Sequence, residues 1–294
     1  MFKKRTLIIS AVLLLGVFAW IALSKEKQST QALVKNTVST TKVVSSKSNK
    51  SSPKNTGNSD KLAQELYSQA LALKADRDLL KAQELLQKIS NEYPGFEKID
   101  AVQTDLEDVN MQLILSNTPV PNKAIIYAIQ TGDTLGKIAQ KYGTTVAFIK
   151  HSNNLKGDVV RLGQKLRVWT GHFNIFVDKS RNILILKDGD QVVKIYNVST
   201  GENNSTPVGK FKIVSKLIDP VWFNKGVVVP PESPQNVLGS RWMGFDLPGY
   251  GIHGTVEPDK IGQQVTAGCV RMRNVEVEEL YTIIPMGTEV TITD

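Results

Sequence analysis

Cys269 is the only cysteine of the chain, and it stands in Thr266-Ala-Gly-Cys-Val-Arg271-Met272, among glycine, threonine and arginine and not in an apolar run. A lone thiol is either a small buried filler or a nucleophile. The nucleophilic reading needs a neighbour that acts as base or favours the thiolate, and an imidazole can do either. His253 lies 16 positions upstream in Gly251-Ile-His-Gly-Thr255, and of the three histidines it alone shares these glycine-rich surroundings. Gly268 allows backbone to approach an acyl group closely, and amides beside the sulfur could donate to a tetrahedral oxyanion. If Cys269 and His253 meet in space, they form a dyad suited to nucleophilic attack on an acyl group. With one cysteine there is no intramolecular disulfide and no zinc-holding cysteine cluster. No metal or cofactor is expected, and the Gly-x-Gly at Gly249 to Gly251 lacks the strand-to-helix context of a nucleotide loop.

These residues must be held by the C-terminal part of the chain. From Phe173 the periodicity shortens towards two: Asn174–Val177, Ile183–Leu186, Val192–Val198, Gly209–Val214 and Glu289–Thr293 read as strands, with Asp188-Gly189 as a hairpin turn. Helical periodicity is confined to Asn274–Ile283. Residues 172–294 therefore form a mainly β domain. The ordered series Thr200-Gly201, Ser205-Thr-Pro-Val-Gly209-Lys-Phe211, Val229-Pro-Pro231, Leu238-Gly239, Gly251-Ile-His253-Gly-Thr255 and Gly268-Cys269-Val-Arg271-Met272 resembles the L,D-transpeptidase (YkuD-type) catalytic domain. The resemblance implies a β-sandwich with an open groove, acting on peptidoglycan without a cofactor. Cys269 would attack the carbonyl after the third residue of a stem peptide and expel D-alanine, and an amine of a neighbouring stem would resolve the acyl-enzyme. His253 would be the base or ion-pair partner, Gly254 and Thr255 would orient it, and Gly268 would supply an oxyanion amide. Thr266 and Arg271 are expected to bind substrate, Arg271 through a carboxylate, with a structural salt bridge as its other reading. The family signature reads Ser/Thr-His-Gly-Cys, whereas Ala267 replaces the histidine here. The same cysteine with water as acceptor would make a carboxypeptidase, and an inert cysteine would leave a non-catalytic wall-binding scaffold.

Ahead of this domain, residues 125–169 read as strand, helix, helix, strand. Gln130-Thr-Gly-Asp-Thr-Leu135, Ile138-Ala139, Tyr142-Gly143, Asn153-Asn154-Leu155 and Gly163-Gln164-Lys165-Leu166 resemble a LysM domain, a small α+β module that binds polymers containing N-acetylglucosamine. The resemblance implies sugar contact through two loops, here Gly132, Asp133, Thr134 and Leu135 together with Asn154 and Leu155. His151 is a lone surface histidine without an assigned role.

Residues 60–116 carry apolar residues at helical spacing (Leu62, Leu66, Ala70, Leu73; Leu79, Ala82, Leu86, Ile89; Ile99, Val102, Leu106, Val109, Leu113) and resemble a single tetratricopeptide repeat followed by a third helix. One repeat cannot form a solenoid, so its groove is either covered by that third helix or open to a protein partner at 60–115. Residues 26–59 form a tether: 13 of the 32 residues from Gln28 to Ser59 are Ser or Thr, and none is aromatic. Residues 1–25 read as a single membrane span, Thr6–Leu23, preceded by Lys3, Lys4 and Arg5, or as a cleaved signal. Either way the remainder is exported to the cell envelope. The net charge of +8 lies entirely in residues 1–60, and the 26 basic residues beyond them are matched by 26 acidic ones. A neutral body lacks the footprint that nucleic acid requires.

Overall fold

The computed structural model describes residues 56–224 and 226–294. The membrane segment expected at Thr6–Leu23 and nearly all of the tether lie outside the described residues. Among the described residues no helix is long and apolar enough to cross a membrane. The tether ends earlier than its composition implies, because helix α1 starts at Thr56 and runs Thr56–Ala75.

Helices α2 (Leu79–Glu92) and α3 (Ile99–Leu115) follow, α2 being capped by the Asp78 carboxylate, which accepts from the Lys81 amide. Ala63, Tyr67 and Ala70 of α1, Leu79, Ala82, Leu86 and Ile89 of α2, and Val102, Leu106, Val109 and Leu113 of α3 share one apolar cluster. The third helix thus fills the groove of the first two. Its opposite side continues into the core of the C-terminal domain through Met111 and Ile114, and Asn110 Nδ2 donates to the Val193 carbonyl at 3.0 Å.

The next unit pairs β1 (Ala124–Ala128) antiparallel with β2 (Lys165–Trp169), with α4 (Leu135–Tyr142) and α5 (Val146–Ser152) between them. Thr134 caps α4 and Thr145 caps α5 through their hydroxyls, and Gly143 ends α4 in the left-handed conformation at φ 62° that glycine adopts without strain. The neighbouring Asp133 carboxylate accepts from Tyr127 Oη and the Gln130 amide, both at 2.8 Å.

The C-terminal domain is one eight-stranded sheet. Its strands are β3 (Phe173–Asp178), β4 (Ile183–Asp188), β5 (Gln191–Asn197), β7 (Gly209–Ile218), β10 (Arg241–Phe245), β11 (Gly251–His253), β13 (Val270–Arg271) and β14 (Glu289–Thr293), in the order β13-β11-β10-β7-β14-β3-β4-β5. The two layers expected of a sandwich are halves of this sheet. Strand β7 serves both, pairing with β14 along Gly209–Lys212 and with β10 along Ile213–Ile218. Short pairs β6 (Thr200–Gly201) with β12 (Gln264–Thr266) and β8 (Trp222–Asn224) with β9 (Val227–Val229) lie outside it. Helix α6 (Asn274–Ile283) contributes Val277, Leu280 and Ile283 to a core that also takes Ile175, Leu186, Met243, Ile252 and Val270 from both halves.

The three segments are locked together. Arg167 of β2 is only 2 % exposed, and its guanidinium donates to the carbonyls of Leu113, Ile114 and Thr118 at 3.0, 2.6 and 3.0 Å, capping the C-terminus of α3. Burial lowers its pKa to about 10, which leaves it a cation at neutral pH. Phe148 of α5 packs with Trp169 and Phe173 in the core of the C-terminal domain, and the Thr145 hydroxyl donates to the Thr282 carbonyl of α6.

Candidate active site

Strand register places the reactive residues. β11 runs antiparallel to β10, with Trp242 opposite His253 and Gly244 opposite Gly251, and parallel to β13, with Ile252 beside Val270 and His253 beside Arg271. Alternation along a strand sends Met243, Ile252 and Val270 into the core, so His253 and Arg271 stand on the other face, joined by Gly251 and Cys269 one alternation earlier. Gly251 is a glycine of necessity, since a Cβ there would stand 2.5 Å from the Met243 carbonyl oxygen. The Trp242 indole stacks on the imidazole at 6.0 Å between centroids and 21° between planes. It lies flat because Gly244 and Gly251 are glycines: a Cβ on Gly251 would stand 3.0 Å from Trp242 Cζ2.

His253 Nδ1 is 2.7 Å from the Gly254 carbonyl oxygen. A carbonyl only accepts, so Nδ1 carries the proton and Nε2 keeps its lone pair. The ring is buried, and burial lowers its pKa to about 4, assisted by the Arg271 guanidinium and opposed by the carbonyls of Gly254 and Leu238. The imidazole is therefore neutral. Cys269 is half-buried, and burial pushes its thiol above the ordinary range against the lowering effects of the Gly251 amide and Arg271. In this state the thiol faces the Gly249 carbonyl at 3.5 Å and not the imidazole. At neutral pH the two groups are therefore a thiol and an uncharged imidazole.

The turn that carries Cys269 is shaped by Thr266, whose hydroxyl donates to the Cys269 carbonyl at 2.7 Å and accepts from the Gly268 amide at 3.2 Å. Gly268 adopts φ 129°, and a Cβ there would meet Tyr250 Cε1 at 2.7 Å. The amide expected to bind an oxyanion is thus engaged by Thr266. Thr255 makes its contacts away from His253: its hydroxyl accepts from the Glu257 amide at 2.9 Å, and its own amide donates to Asn274 Oδ1 at 2.9 Å. Arg271 is 6 % exposed and paired with Glu257 at 3.1 Å, the salt-bridge alternative. Ala267 is exposed. In the small α+β unit, Gly132, Thr134 and Asn154 are exposed and Asp133 is half-buried, whereas Leu135 is core and Leu155 packs against it, so these two offer backbone only. Sequence reading passed over Trp242, Tyr250, Glu257 and Asn274. Trp242-Met-Gly-Phe245 carries a weak strand alternation, but contacts made to backbone leave no spacing signature.

Residues 172–292 match the family model of the L,D-transpeptidase catalytic domain (YkuD), and residues 127–169 that of the LysM domain. A protein named L,D-transpeptidase YqjB, of Bacillus subtilis, is 40% identical over 126 residues, covering 41% of this chain and 70% of that one. A Bacillus licheniformis protein named L,D-transpeptidase YkuD is 33% identical over 177 residues, covering 58% of this chain and 99% of that one. The chain belongs to the L,D-transpeptidase (YkuD) family. Its LysM domain lies N-terminal to the L,D-transpeptidase domain, and over 42 residues this part is 52% identical to a B. subtilis protein named peptidoglycan endopeptidase LytE, covering 14% of this chain and 13% of that one.

Proposed function

We propose that this L,D-transpeptidase works in the cell envelope, holding peptidoglycan through its LysM loops and exchanging stem-peptide bonds at Cys269. One observation carries the reading: the Gly254 carbonyl holds the proton on Nδ1, which leaves the lone pair on Nε2 of a ring that stands on the same sheet face as the sole cysteine. As the sulfur attacks the carbonyl after the third residue of a tetrapeptide stem, Nε2 takes the thiol proton, so a neutral thiol needs no prior ionisation. Collapse of the tetrahedral adduct breaks the bond to D-alanine, and the imidazolium returns its proton to the leaving amine. A second stem's amine then attacks the thioester, gives its proton to Nε2 and releases the thiol. The Gly251 amide, which lowers the thiol's pKa, and the Gly268 amide, once turned from Thr266, are the donors available to the oxyanion. Arg271, paired with Glu257, keeps a positive charge beside both reacting groups.

Cys269→Ala should abolish D-alanine release from tetrapeptide stems while sedimentation with peptidoglycan persists, and intact-mass measurement of the native protein should find an acyl adduct on Cys269. Turnover by the alanine variant would overturn the nucleophile. Because burial keeps the thiol protonated, rapid alkylation below pH 7 is not required of the active enzyme, and the acyl adduct separates it from an inert scaffold. Mass analysis of products distinguishes transfer to an amine from hydrolysis.

A further inference from the structure

The carbonyl that fixes His253 belongs to a peptide unit that is itself held. The Gly254–Thr255 peptide presents its C=O to His253 Nδ1 at 2.7 Å and its N–H to Asn274 Oδ1 at 2.9 Å. A trans peptide is planar with these two groups pointing oppositely, so fixing one fixes the other. The Ser240 amide converges on the same Oδ1 at 3.2 Å, and two donors meeting at one atom identify it as the oxygen. Asn274 reaches this peptide only because Gly239 and Gly254 lack side chains: a Cβ on either would overlap Oδ1. Asn274 opens α6, five residues after Cys269, so a single segment carries both the nucleophile and this contact.

We infer that Asn274 is a positioning residue for catalysis, setting the His253 tautomer and ring direction through the Gly254–Thr255 peptide. This rests on His253 acting as the base. Hydrogen bonds in series polarise one another, so the acceptor at 274 also influences how strongly Gly254 draws on the Nδ1 proton. An aspartate there would accept the same two amides while adding negative charge behind the peptide.

The test uses full-length protein with Asn274→Ala and Asn274→Asp, read by nitrogen NMR of the three histidines and by the pH profile of D-alanine release. Asn274→Ala should mix the His253 tautomers and lower kcat by roughly 100-fold with KM little changed. Asn274→Asp should retain the Nδ1–H tautomer, restore most of the rate, and move both the His253 titration and the acid limb of the profile to higher pH. Wild-type tautomer and kcat in Asn274→Ala would overturn the inference, as would an aspartate variant that behaves like alanine. Should the alanine variant fail to fold, the aspartate variant alone decides. The tautomer is read without turnover: an inactive wild type whose tautomer still depends on residue 274 would sink the assignment of His253 as base and leave the positional role standing.

Discussion

His253 and Cys269 are each displaced by burial towards the uncharged form, the imidazole to about 4 and the thiol above its ordinary range. This suits a base that acts only when attack begins, and it carries a cost in stability. The unfolded imidazole titrates near 6.5, so it binds a proton more readily than the folded one. The stabilisation from a neutral buried ring is complete above pH 6.5 and declines as pH falls towards 4, by about 3 kcal/mol in all. Urea midpoints measured across that window should fall in the native protein and fall less in His253→Gln; parallel curves would show that the ring is not buried in solution. The glycine-rich settings of Cys269 and His253, which strand register brings to one sheet face, were readable in the sequence. The partners of Thr255 and Arg271 were not, because the Asn274 and Glu257 contacts depend on where a loop and a helix start meet.

At the scale of elements, legibility followed length and period. Ile183–Asp188, Asn274–Ile283 and the LysM helices carry enough alternation or enough capping chemistry to be recognised. Strands β10, β11, β12 and β13 span two to five residues each, include the glycines Gly244 and Gly251, and take their pairing from neighbours instead of from their own pattern. The halves of the sheet could not be foreseen as continuous, since that depends on β7 changing partners at Lys212 and Ile213. Arg167 was equally opaque: in Lys165-Leu-Arg-Val-Trp169 it looks like a solvent-facing strand residue, yet it is buried against three carbonyls. Arg167→Met would strand those acceptors and should lower unfolding free energy by at least about 2 kcal/mol. A denaturation midpoint unchanged by the substitution would mean that the cap contributes nothing.

Across the whole of residues 60–294, LysM and catalytic domains are joined by shared core and not by a flexible linker. The loops that carry Gly132–Leu135 and Asn154–Leu155 are consequently held at one separation from Cys269. Inserting a Gly/Ser stretch between Trp169 and Phe173 should spare hydrolysis of a soluble tetrapeptide but reduce D-alanine release from intact sacculi, measured per molecule bound; equal losses on both substrates would attribute the defect to folding. Composition marks Asn117–Asn122, with its two prolines, as a natural place to trim the protein. Trimming there would strip the carbonyls of Leu113 and Ile114 from a cation sealed behind Trp169, and would pull Met111 and Ile114 out of the enzyme's interior. What reads as a spacer is a wall of the catalytic body, so the smallest autonomous unit begins upstream of it.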